Sequence, residues 1–424
     1  MNNLLDKIFF RSQNLNYINL GFRNIKKEVK IKQIFEAIHS YSVSSEIRYV
    51  GGCVRKIINN EKFDDIDLAV NLSPKDVCKA LNEKNIKYYE SGVEHGTITA
   101  LIDNVTFEIT SLRKDIETDG RHAKVEFSDN WKEDASRRDF TINSIYADIN
   151  GTLFDPFNGK KDLENGKVIF IGNVETRIKE DYLRVLRYIR FFLNYSKVKH
   201  NSSVIKMIKK NIIGVSNISP ERLLNELEKL VRSKNFLKLT KDKDSIEIIN
   251  LIFPQLKNIS LFSKLNSFAK NNFMKVDFIL LLALMIVDGT DNVDYFIYKF
   301  NLSKKDQKRL LFLNNFYSKK FTNTIFSEKN LNKVLYFQGR EALMDLIYFK
   351  IFKSNKVHNE LVELIEIFKE KNIPEMPLNA TILMEKYQIP KGKELGNKLK
   401  AIEEIWTSNN FKISEKDVQK ILSN

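Results

Sequence analysis

The spacing of hydrophobic residues changes near residue 155 and divides the chain into two parts. Before that point, short runs rich in β-branched and aromatic residues alternate with turn signals such as Gly51-Gly52 and Asn150-Gly151. The runs predict strands at residues 47–50, 66–70, 97–102, 106–110 and 142–149. Ser73 suits a helix N-cap and Pro74 a first helical turn, which predicts a helix from residue 73 to 82. The mixture indicates an α+β domain with a small mixed sheet.

After about residue 160 the apolar residues recur at spacings of three and four, which is typical of helices. The clearest stretches span residues 175–194, 220–232, 276–287 and 360–371. One of them contains an apolar run, Phe278 to Val287, that is well short of the ~20 residues needed to cross a membrane, so it predicts a buried core helix. This part is predicted to be a helical bundle or array, with a charged break near residues 369–377 before a last helical unit.

The chain has 69 Lys and Arg residues against 54 Asp and Glu, a formal net charge of +15. This excess favours a polyanionic partner, because contacts of Lys and Arg with phosphate release condensed counterions. An AT-rich genome, which enriches Lys, Asn, Ile and Phe, would explain the excess equally well. Two cysteines, Cys53 and Cys78, are too few for a disulfide framework or a cysteine-based zinc site. Because the N-terminus lacks a signal-peptide pattern, we expect a cytoplasmic protein without a membrane partner.

Two short segments carry the strongest chemical signal, Val-Gly-Gly-Cys-Val-Arg at residues 50–55 and Asp-Asp-Ile-Asp-Leu-Ala-Val at residues 64–70. Gly51 and Gly52 after a strand would let the backbone approach a phosphate closely, and Arg55 is expected to contact a triphosphate oxygen. Asp65 and Asp67 are two residues apart, so a strand would place both carboxylates on one face. Neighbouring carboxylates repel each other unless a cation lies between them, and their oxygens suit Mg²⁺.

Glu108 is a third acidic candidate, because it is a lone acid between apolar residues on a second predicted strand. With Asp65 and Asp67 it would complete a catalytic cluster for two Mg²⁺ ions, in which Asp65 and Asp67 are the metal ligands. An Asp-x-Asp pair alone is a common surface pattern. The ordered set of Gly-Gly-x-Val-Arg, Asp-Ile-Asp and Phe-Glu-Ile is much more specific.

This set resembles the nucleotidyltransferase superfamily with the polymerase β-type palm. Residues 137–143, Arg-Arg-Asp-Phe-Thr-Ile-Asn, and residues 180–184, Glu-Asp-Tyr-Leu-Arg, are similar to motifs of the class II CCA-adding enzymes and the related bacterial poly(A) polymerases. The resemblance is dense from Tyr49 to Arg190 and patchy afterward. It implies a catalytic head at residues 1–155, a helical neck at 156–232 that recognises the base, a body at 233–375 and a tRNA-binding tail at 376–424.

The resemblance also implies that Glu180, Asp181 and Arg184 form a helical amino-acid template for the incoming base. A carboxylate can accept from the cytosine amino group, and a guanidinium can donate to ring nitrogen and oxygen. Asp181 and Arg184 are three residues apart, which predicts that both project from one face of a helix. An ordinary salt bridge is the alternative for this pair. The repeat of Arg184, Arg187 and Arg190 every three residues is likewise compatible with a solvated basic face.

Other residues receive roles from the same resemblance. Arg138, Asp139 and Asn143 are implied to support the sugar and phosphates of the nucleotide, with Asn143 bonding the ribose hydroxyls. Arg187 is a further nucleotide-binding candidate. A polar segment that includes Arg113, Asp119 and Arg121 is similar to a flexible loop associated with the switch to adenosine addition. The family usually has an acid after the arginine of the Gly-Gly motif, whereas this chain has Lys56, which puts the bracing of Arg55 in doubt.

The function implied is template-independent addition of CCA to the 3′ end of tRNA from CTP and ATP. A poly(A) polymerase is the main alternative, although residues 87–97 lack the basic stretch that those enzymes tend to carry. A partial enzyme that adds only CC or only A is a further alternative. A noncatalytic basic RNA-binding protein would explain the charge, but it leaves Asp65, Asp67 and Glu108 without a role. The sequence leaves the oligomeric state open.

Overall fold

The structure is a computed structural model that describes residues 18, 21, 22, 25, 29–63, 65–118, 123–318 and 323–423. The chain divides into two compact units, Met1–Ile252 and Phe253–Asn424. The first unit contains a seven-stranded mixed sheet followed by helices, and the described part of the second unit is helical. The predicted class, α+β with a small mixed sheet followed by an all-α part, is therefore confirmed. The finer division into head, neck, body and tail stays a prediction.

The sheet has the strand order β3-β4-β5-β2-β1-β8-β9, and β6 and β7 form a separate two-stranded sheet. The strands are β1 (Ile47–Val50), β2 (Asp67–Val70), β3 (Lys87–Gly92), β4 (Thr97–Ile102), β5 (Val105–Ser111), β6 (Arg113–Thr118), β7 (Ala123–Phe127), β8 (Tyr146–Ala147) and β9 (Leu153–Phe154). In the large sheet β2 and β5 are parallel, whereas the other neighbouring strands are antiparallel. The parallel register places Asp67, the first residue of β2, directly beside Glu108 in the middle of β5.

Helices cover the sheet of the first unit and continue beyond it. They are α1 (Val29–Tyr41), α2 (Gly52–Ile58), α3 (Pro74–Glu83), α4 (Trp131–Ser136), α5 (Gly159–Glu164), α6 (Val174–Glu180), α7 (Leu183–Tyr195), α8 (Ser202–Asn211), α9 (Pro220–Val231) and α10 (Lys243–Ile252). The apolar faces of α1, α2 and α3 share one buried core with the strands. Ser73 caps α3 by accepting from the backbone N–H of Asp76 at 3.2 Å, with Pro74 in the first turn as predicted.

The second unit is built from helices of varied length. They are α11 (Ser267–Asn272), α12 (Phe278–Ile286), α13 (Asn292–Phe300), α14 (Lys304–Ser318), α15 (Glu328–Lys353), α16 (Asn359–Lys369), α17 (Ala380–Tyr387), α18 (Lys393–Ser408) and α19 (Glu415–Ser423). Helix α12 is buried along almost its whole length, which confirms the predicted core helix. None of the described helices combines the length and apolar character needed to cross a membrane. Helix α15 is kinked at Gly339, whose φ is +83°.

Two strand predictions near the site differ from the structure. The strand predicted at 142–149 is wrong over most of its length, because a 3-10 turn at Thr141–Asn143 precedes the short strand β8. The Ser144 hydroxyl donates to the carbonyl of Thr141 at 2.9 Å, and such local bonds compete with strand pairing. The strand predicted from residue 66 begins at Asp67, so Asp65 lies in the preceding connection rather than on the same strand.

The continuous helix predicted over residues 175–194 is also wrong. Helix α6 ends at Glu180, Asp181 has an extended backbone with φ −153° and ψ 104°, and α7 begins at Leu183. The Asp181 carboxylate accepts from the backbone N–H of Leu183 at 3.1 Å, which satisfies a donor at the start of α7. Asp181 and Arg184 therefore do not project from one helical face, and the predicted template helix is a break between two helices.

Candidate active site

A cavity of about 630 Å³ lies within the first unit. It is bounded by the turn between β1 and α2, the approach to β2, the segment around the 3-10 turn, the break before α7, and α7 and α9. The predicted site residues that line it are Gly51, Gly52, Arg55, Asp65, Asp67, Arg138, Asp139, Asn143, Asp181, Arg184 and Arg187. Residues from four separate stretches of the sequence are thus brought to one place.

The two glycines form the turn in front of the acidic residues. Gly51 has φ +69°, a conformation that residues with a side chain rarely adopt. A Cβ on Gly51 would lie 3.5 Å from Nη1 of Arg138, and a Cβ on Gly52 would lie 3.8 Å from Oδ2 of Asp67. The glycines therefore keep side chains out of the space in front of Asp67, which is what a phosphate would need.

Asp67 carries a carboxylate in an unfavourable electrostatic environment. It is half-buried at the first position of β2, Glu108 is its neighbour on β5, and Asp65 is exposed in the adjoining connection. Burial raises the pKa of Asp67, the charges of Glu108 and Asp65 raise it further, and Arg138 and Arg55 only partly oppose them. A cation beside Asp67 would relieve this repulsion.

The donor set fits Mg²⁺ in one particular mode. Within the described parts of the chain, no group of three or more acidic, histidine or cysteine side chains is arranged to hold a metal ion alone. Mg²⁺ commonly uses one or two protein carboxylates, because substrate phosphates and water complete its coordination. Asp65 and Asp67, which both line the cavity, fit that mode. Glu108 is exposed and outside the cavity lining, so its catalytic role stays a prediction.

A buried acid fixes the position of Arg138. Asp134 is 1% exposed and accepts from Arg138 Nη2 at 3.1 Å, Arg137 Nε at 2.8 Å and the Tyr146 hydroxyl at 2.6 Å. Burial opposes the ionisation of Asp134, but Arg138 and Arg137 outweigh it and hold the pKa of this carboxyl well below its usual range. Sequence reasoning missed Asp134, although an acid three and four residues before an arginine pair was a visible signal.

A second buried chain of hydrogen bonds connects Asp139, Asn143 and Arg55. Asp139 accepts from Arg187 Nε at 2.7 Å and from the Asn143 amide at 2.8 Å. Burial would raise the pKa of Asp139, but Arg187 and Asn143 lower it to about 2. Arg55 donates to Asn143 Oδ1 and lies over the ring of Phe191 at 4.8 Å from its centroid. Arg55 is therefore braced by an amide and an aromatic ring in place of the missing acid.

The residues implied to read the base are already paired with other protein groups. The Asp181 carboxylate accepts from Arg222 Nη2 at 2.8 Å. Arg184 Nη1 donates to Glu180 Oε2 at 2.6 Å and to the carbonyl of Arg177 at 2.9 Å. Glu180 is not part of the cavity lining. Its contact shows Glu180 holding Arg184 in position, whereas Asp181 and Arg184 both face the cavity.

The arginines of α7 face the cavity and not the solvent. Each has an acidic partner from a different element: Arg184 pairs with Glu180 at 2.6 Å, Arg187 with Asp139 at 2.6 Å and Arg190 with Glu226 at 2.5 Å. The interpretation of this row as a solvated basic face is therefore wrong. Its three-residue spacing is the signal that could have added Arg190 to the predicted site.

Four further residues line the cavity without having been predicted for it: Cys53, Lys56, Phe191 and Lys229. The sequence marks Lys56 only as the residue that replaces the usual acid after the arginine of the Gly-Gly motif. Lys229 belongs to α9, far along the chain, and no local pattern marks it.

The segment predicted as a flexible loop contains strands on both sides. Arg113 is the first residue of β6, and its backbone N–H donates to Asp134 at 3.4 Å. The strands β6 and β7 pair antiparallel over residues 113–118 and 123–127. Asp119 and Arg121 lie outside the described residues, so the loop proposed there remains a prediction.

Comparison with known proteins extends these findings. A family model described as the poly A polymerase head domain matches residues 47–169. The mouse CCA tRNA nucleotidyltransferase 1, mitochondrial, is 33% identical over 383 residues, which cover 88% of this chain and 85% of the mouse protein. The CCA-adding enzyme of Lactobacillus johnsonii is 28% identical over 84% of this chain and 88% of that enzyme. The crystal structure of the Bacillus stearothermophilus CCA-adding enzyme in complex with CTP has a similar fold, with a TM-score of 0.70, 21% identity and coverage of 92% of this chain and 95% of that chain.

Proposed function

Since the chain belongs to the family of CCA-adding tRNA nucleotidyltransferases, it adds CCA to tRNA, and we propose that the cavity described above is where CTP and ATP react. The observation that carries this assignment is the convergence of Asp65 and Asp67, the glycine turn, and the pair Asp181 and Arg184 on one cavity. Each group supplies a part that nucleotidyl transfer requires: charge neutralisation, room for phosphates and recognition of a base.

In the reaction the 3′-hydroxyl oxygen of tRNA forms a bond to the α-phosphorus of the nucleotide, and the bond from that phosphorus to the bridging oxygen of pyrophosphate breaks. The proton of the 3′-hydroxyl passes to solvent water, and pyrophosphate leaves with the electrons of the broken bond. Asp65 and Asp67 would hold two Mg²⁺ ions, with Glu108 next to Asp67. When bound, these ions favour ionisation of the hydroxyl and neutralise charge on the phosphates.

The protein groups around the acids orient the nucleotide. Gly51 and Gly52 leave space for the phosphates in front of Asp67. Asp134 holds Arg138 in a fixed orientation at the edge of this space, so that its guanidinium is positioned before the nucleotide arrives. Asn143, held between Asp139 and Arg55, is placed to meet the sugar through a small adjustment of its amide.

Base recognition would use exchange of hydrogen bonds. The amino group of cytosine or adenine donates to the Asp181 carboxylate, and Arg184 donates to ring nitrogen and oxygen acceptors. In the structure Asp181 is hydrogen-bonded to Arg222, and Arg184 is hydrogen-bonded to Glu180. Asp181 and Arg184 therefore have to share or release these partners when the base binds. No nucleic-acid template is needed, because the protein supplies the pairing groups.

The remaining proposals concern the larger organisation of the protein. We assign residues 1–155 to the head, 156–232 to the neck, 233–375 to the body and 376–424 to the tail, with the tail binding tRNA. The basic composition supports an RNA partner. A cytoplasmic location is likewise only proposed, because the name of the mouse relative places that protein in mitochondria.

A primer-extension assay tests the function. The protein is supplied with Mg²⁺, CTP and ATP and with tRNA transcripts that end before CCA, at C and at CC. We expect addition of C, C and A in order, followed by a stop. Long A tails would indicate a poly(A) polymerase, a stop after CC or activity only on the CC-ended transcript would indicate a partial enzyme, and the absence of any incorporation would contradict the assignment.

A further inference from the structure

The cationic side chains of the cavity differ in whether an acid already neutralises them. Four arginines are paired with acids, and the pairs are Arg138 with Asp134, Arg184 with Glu180, Arg187 with Asp139, and Arg190 with Glu226. Arg55 bonds to the neutral amide of Asn143. Among the described residues, Lys56 and Lys229 are the cavity cations with neither an acidic partner nor a side-chain hydrogen bond.

The two lysines belong to different sides of the cavity. Lys229 is on α9, whose Arg222 pairs with Asp181, one of the two residues proposed to read the base. Lys56 is on α2, one helical turn after Gly52, and residues four apart share a helical face. That face is directed toward the acids, because a Cβ on Gly52 would lie 3.8 Å from Asp67 Oδ2.

The backbone of Lys56 is fixed although its side chain is unpaired. Its carbonyl accepts from the N–H of Glu61 at 2.8 Å, and the N–H of Asn59 donates to the preceding carbonyl of Arg55 at 3.0 Å. The buried neighbours Cys53 and Ile57 hold α2 in the core. Lys56 itself is half-buried, so its ammonium group extends from a rigid base toward the cavity.

We propose that Lys56 binds the β- and γ-phosphates of the incoming nucleotide and the pyrophosphate that leaves. This inference rests on the proposed function of the cavity. A triphosphate brings several negative charges next to Asp65 and Asp67. The charges of the four paired arginines are already offset by their acids, so Lys56 and Arg55, which bonds only the neutral amide of Asn143, are left to neutralise the phosphates on this side of the cavity. Lysine presents a compact charge on a flexible stem, which can follow a departing anion more readily than a braced arginine.

If Lys56 binds the phosphates, its contribution to nucleotide binding is the same for CTP and for ATP. CTP and ATP carry the same phosphates, so the loss of a phosphate contact has to weaken both by the same factor. The substitution Lys56→Met keeps the length of the side chain and removes its charge, and Lys62→Met is the matched control because Lys62 is exposed and outside the cavity. We expect KM for CTP and for ATP to rise about tenfold each in Lys56→Met, with KM for tRNA unchanged. Lys56→Arg should recover most of the loss.

Binding of inorganic tripolyphosphate in EDTA, measured by calorimetry, separates this inference from the activity. Affinity should fall about tenfold in Lys56→Met and stay at the wild-type value in Lys62→Met. Unchanged affinity, a changed ratio of the CTP and ATP constants, or a rise in KM for tRNA alone would overturn the role of Lys56. If the wild-type protein binds tripolyphosphate through Lys56 but adds nothing to tRNA, the proposed function fails and the phosphate site stands.

Discussion

Asp67 lies where burial, a neighbouring acid on the same side of the sheet and a turn without side chains coincide. Burial and the charges of Glu108 and Asp65 raise the pKa of its carboxyl, so the surroundings of Asp67 disfavour its charged form. Carboxyl groups with a raised pKa that line a cavity are common at functional sites, because an arrangement that favours activity often lowers stability. The repulsion has a direct experimental consequence.

We expect Asp67→Asn to abolish nucleotide addition, with a loss of about 10³-fold or more, because charge neutralisation by bound metal supplies several kcal/mol to the transition state. The same substitution should leave the free energy of unfolding equal or slightly higher, since it removes one member of a repelling cluster. Rates of C addition and urea unfolding curves provide the two measurements. Asp129→Asn, at an exposed acid outside the cavity, is the control, and full activity of Asp67→Asn would reject the metal assignment.

Cys53 provides a prediction about pH. Burial and the nearby charge of Asp67 raise the pKa of its thiol to about 11. The folded state therefore favours the protonated thiol, and its contribution to stability is present below the ordinary thiol pKa and is lost as the pH rises toward 11. We expect folded protein at pH 8 to leave Cys53 unmodified by iodoacetamide, while Cys78 reacts faster and urea exposes both. Peptide mass spectrometry measures this, and rapid labelling of folded Cys53 would contradict the burial described.

At the level of elements, the break between α6 and α7 positions the two residues that we propose to read the base. It turns Asp181 out of the helix and places it within reach of Arg222 on α9, while Arg184 remains in the first turn of α7. The two side chains therefore reach the cavity from separate elements. Recognition by two separately held groups predicts that either can be altered without disturbing the acids.

We expect Asp181→Ala to lower the ratio of kcat/KM for CTP to that for ATP at least about tenfold on a C-accepting primer, because cytosine, the correct base at this step, loses the acceptor for its amino group. The inhibition constant of inorganic tripolyphosphate should stay constant, since we propose that the phosphates bind near Gly51 and Gly52 and not at Asp181. The free energy of unfolding should fall by about 0.5–2 kcal/mol, because the substitution removes the acceptor for the backbone N–H of Leu183 at the start of α7. Loss of the partly exposed pair with Arg222 should add little to this. An unchanged nucleotide preference would reject the template role of Asp181.

Elements with a strong local pattern were predictable and those without one were not. The strands at 47–50 and 97–102 and the helix after Ser73 follow from apolar runs and a cap. Strand β6 has the sequence Arg-Lys-Asp-Ile-Glu-Thr, which is mostly charged and shows no alternation of apolar and polar residues. It forms because it pairs with β7, and the sequence of β6 alone does not indicate that pairing. The break at Asp181 has no Gly or Pro, and the apolar spacing continues on both sides, so periodicity alone could not find it.

The same distinction applies to the site. Asp65, Asp67 and the two glycines are close in sequence, and their residue types identified groups that line one cavity. The placement of both acids on one strand, which their spacing predicted, was wrong. The partners that hold the site in shape, such as Glu226 for Arg190, come from distant segments. Local pattern identifies which groups carry the chemistry, whereas tertiary structure determines which of their charges remain available.

At the scale of the whole molecule, the net charge of +15 should govern how strongly tRNA binds. Contacts between Lys or Arg and phosphates release counterions, so affinity falls steeply as salt rises. We expect KM for tRNA to increase at least about tenfold between 50 and 200 mM KCl, with a much smaller change for CTP. Initial rates at several salt concentrations test this, and a flat response for tRNA would show that the excess charge has no part in binding.

The pairing of Asp181 with Arg222, and of Arg184 with Glu180, has a consequence for how tightly a base can be held. A receptor whose polar groups are already satisfied when empty only exchanges partners on binding, so the correct base gains little net free energy. A base that disturbs these pairs without replacing them leaves a charge unsatisfied, at a penalty of about 1–3 kcal/mol. If Asp181 and Arg184 read the base as proposed, selection comes from rejection of the wrong base and not from tight binding of the right one. Weak net binding of the base suits an enzyme that adds several nucleotides to one tRNA, because Asp181 and Arg184 have to be released from one base before they bind the next.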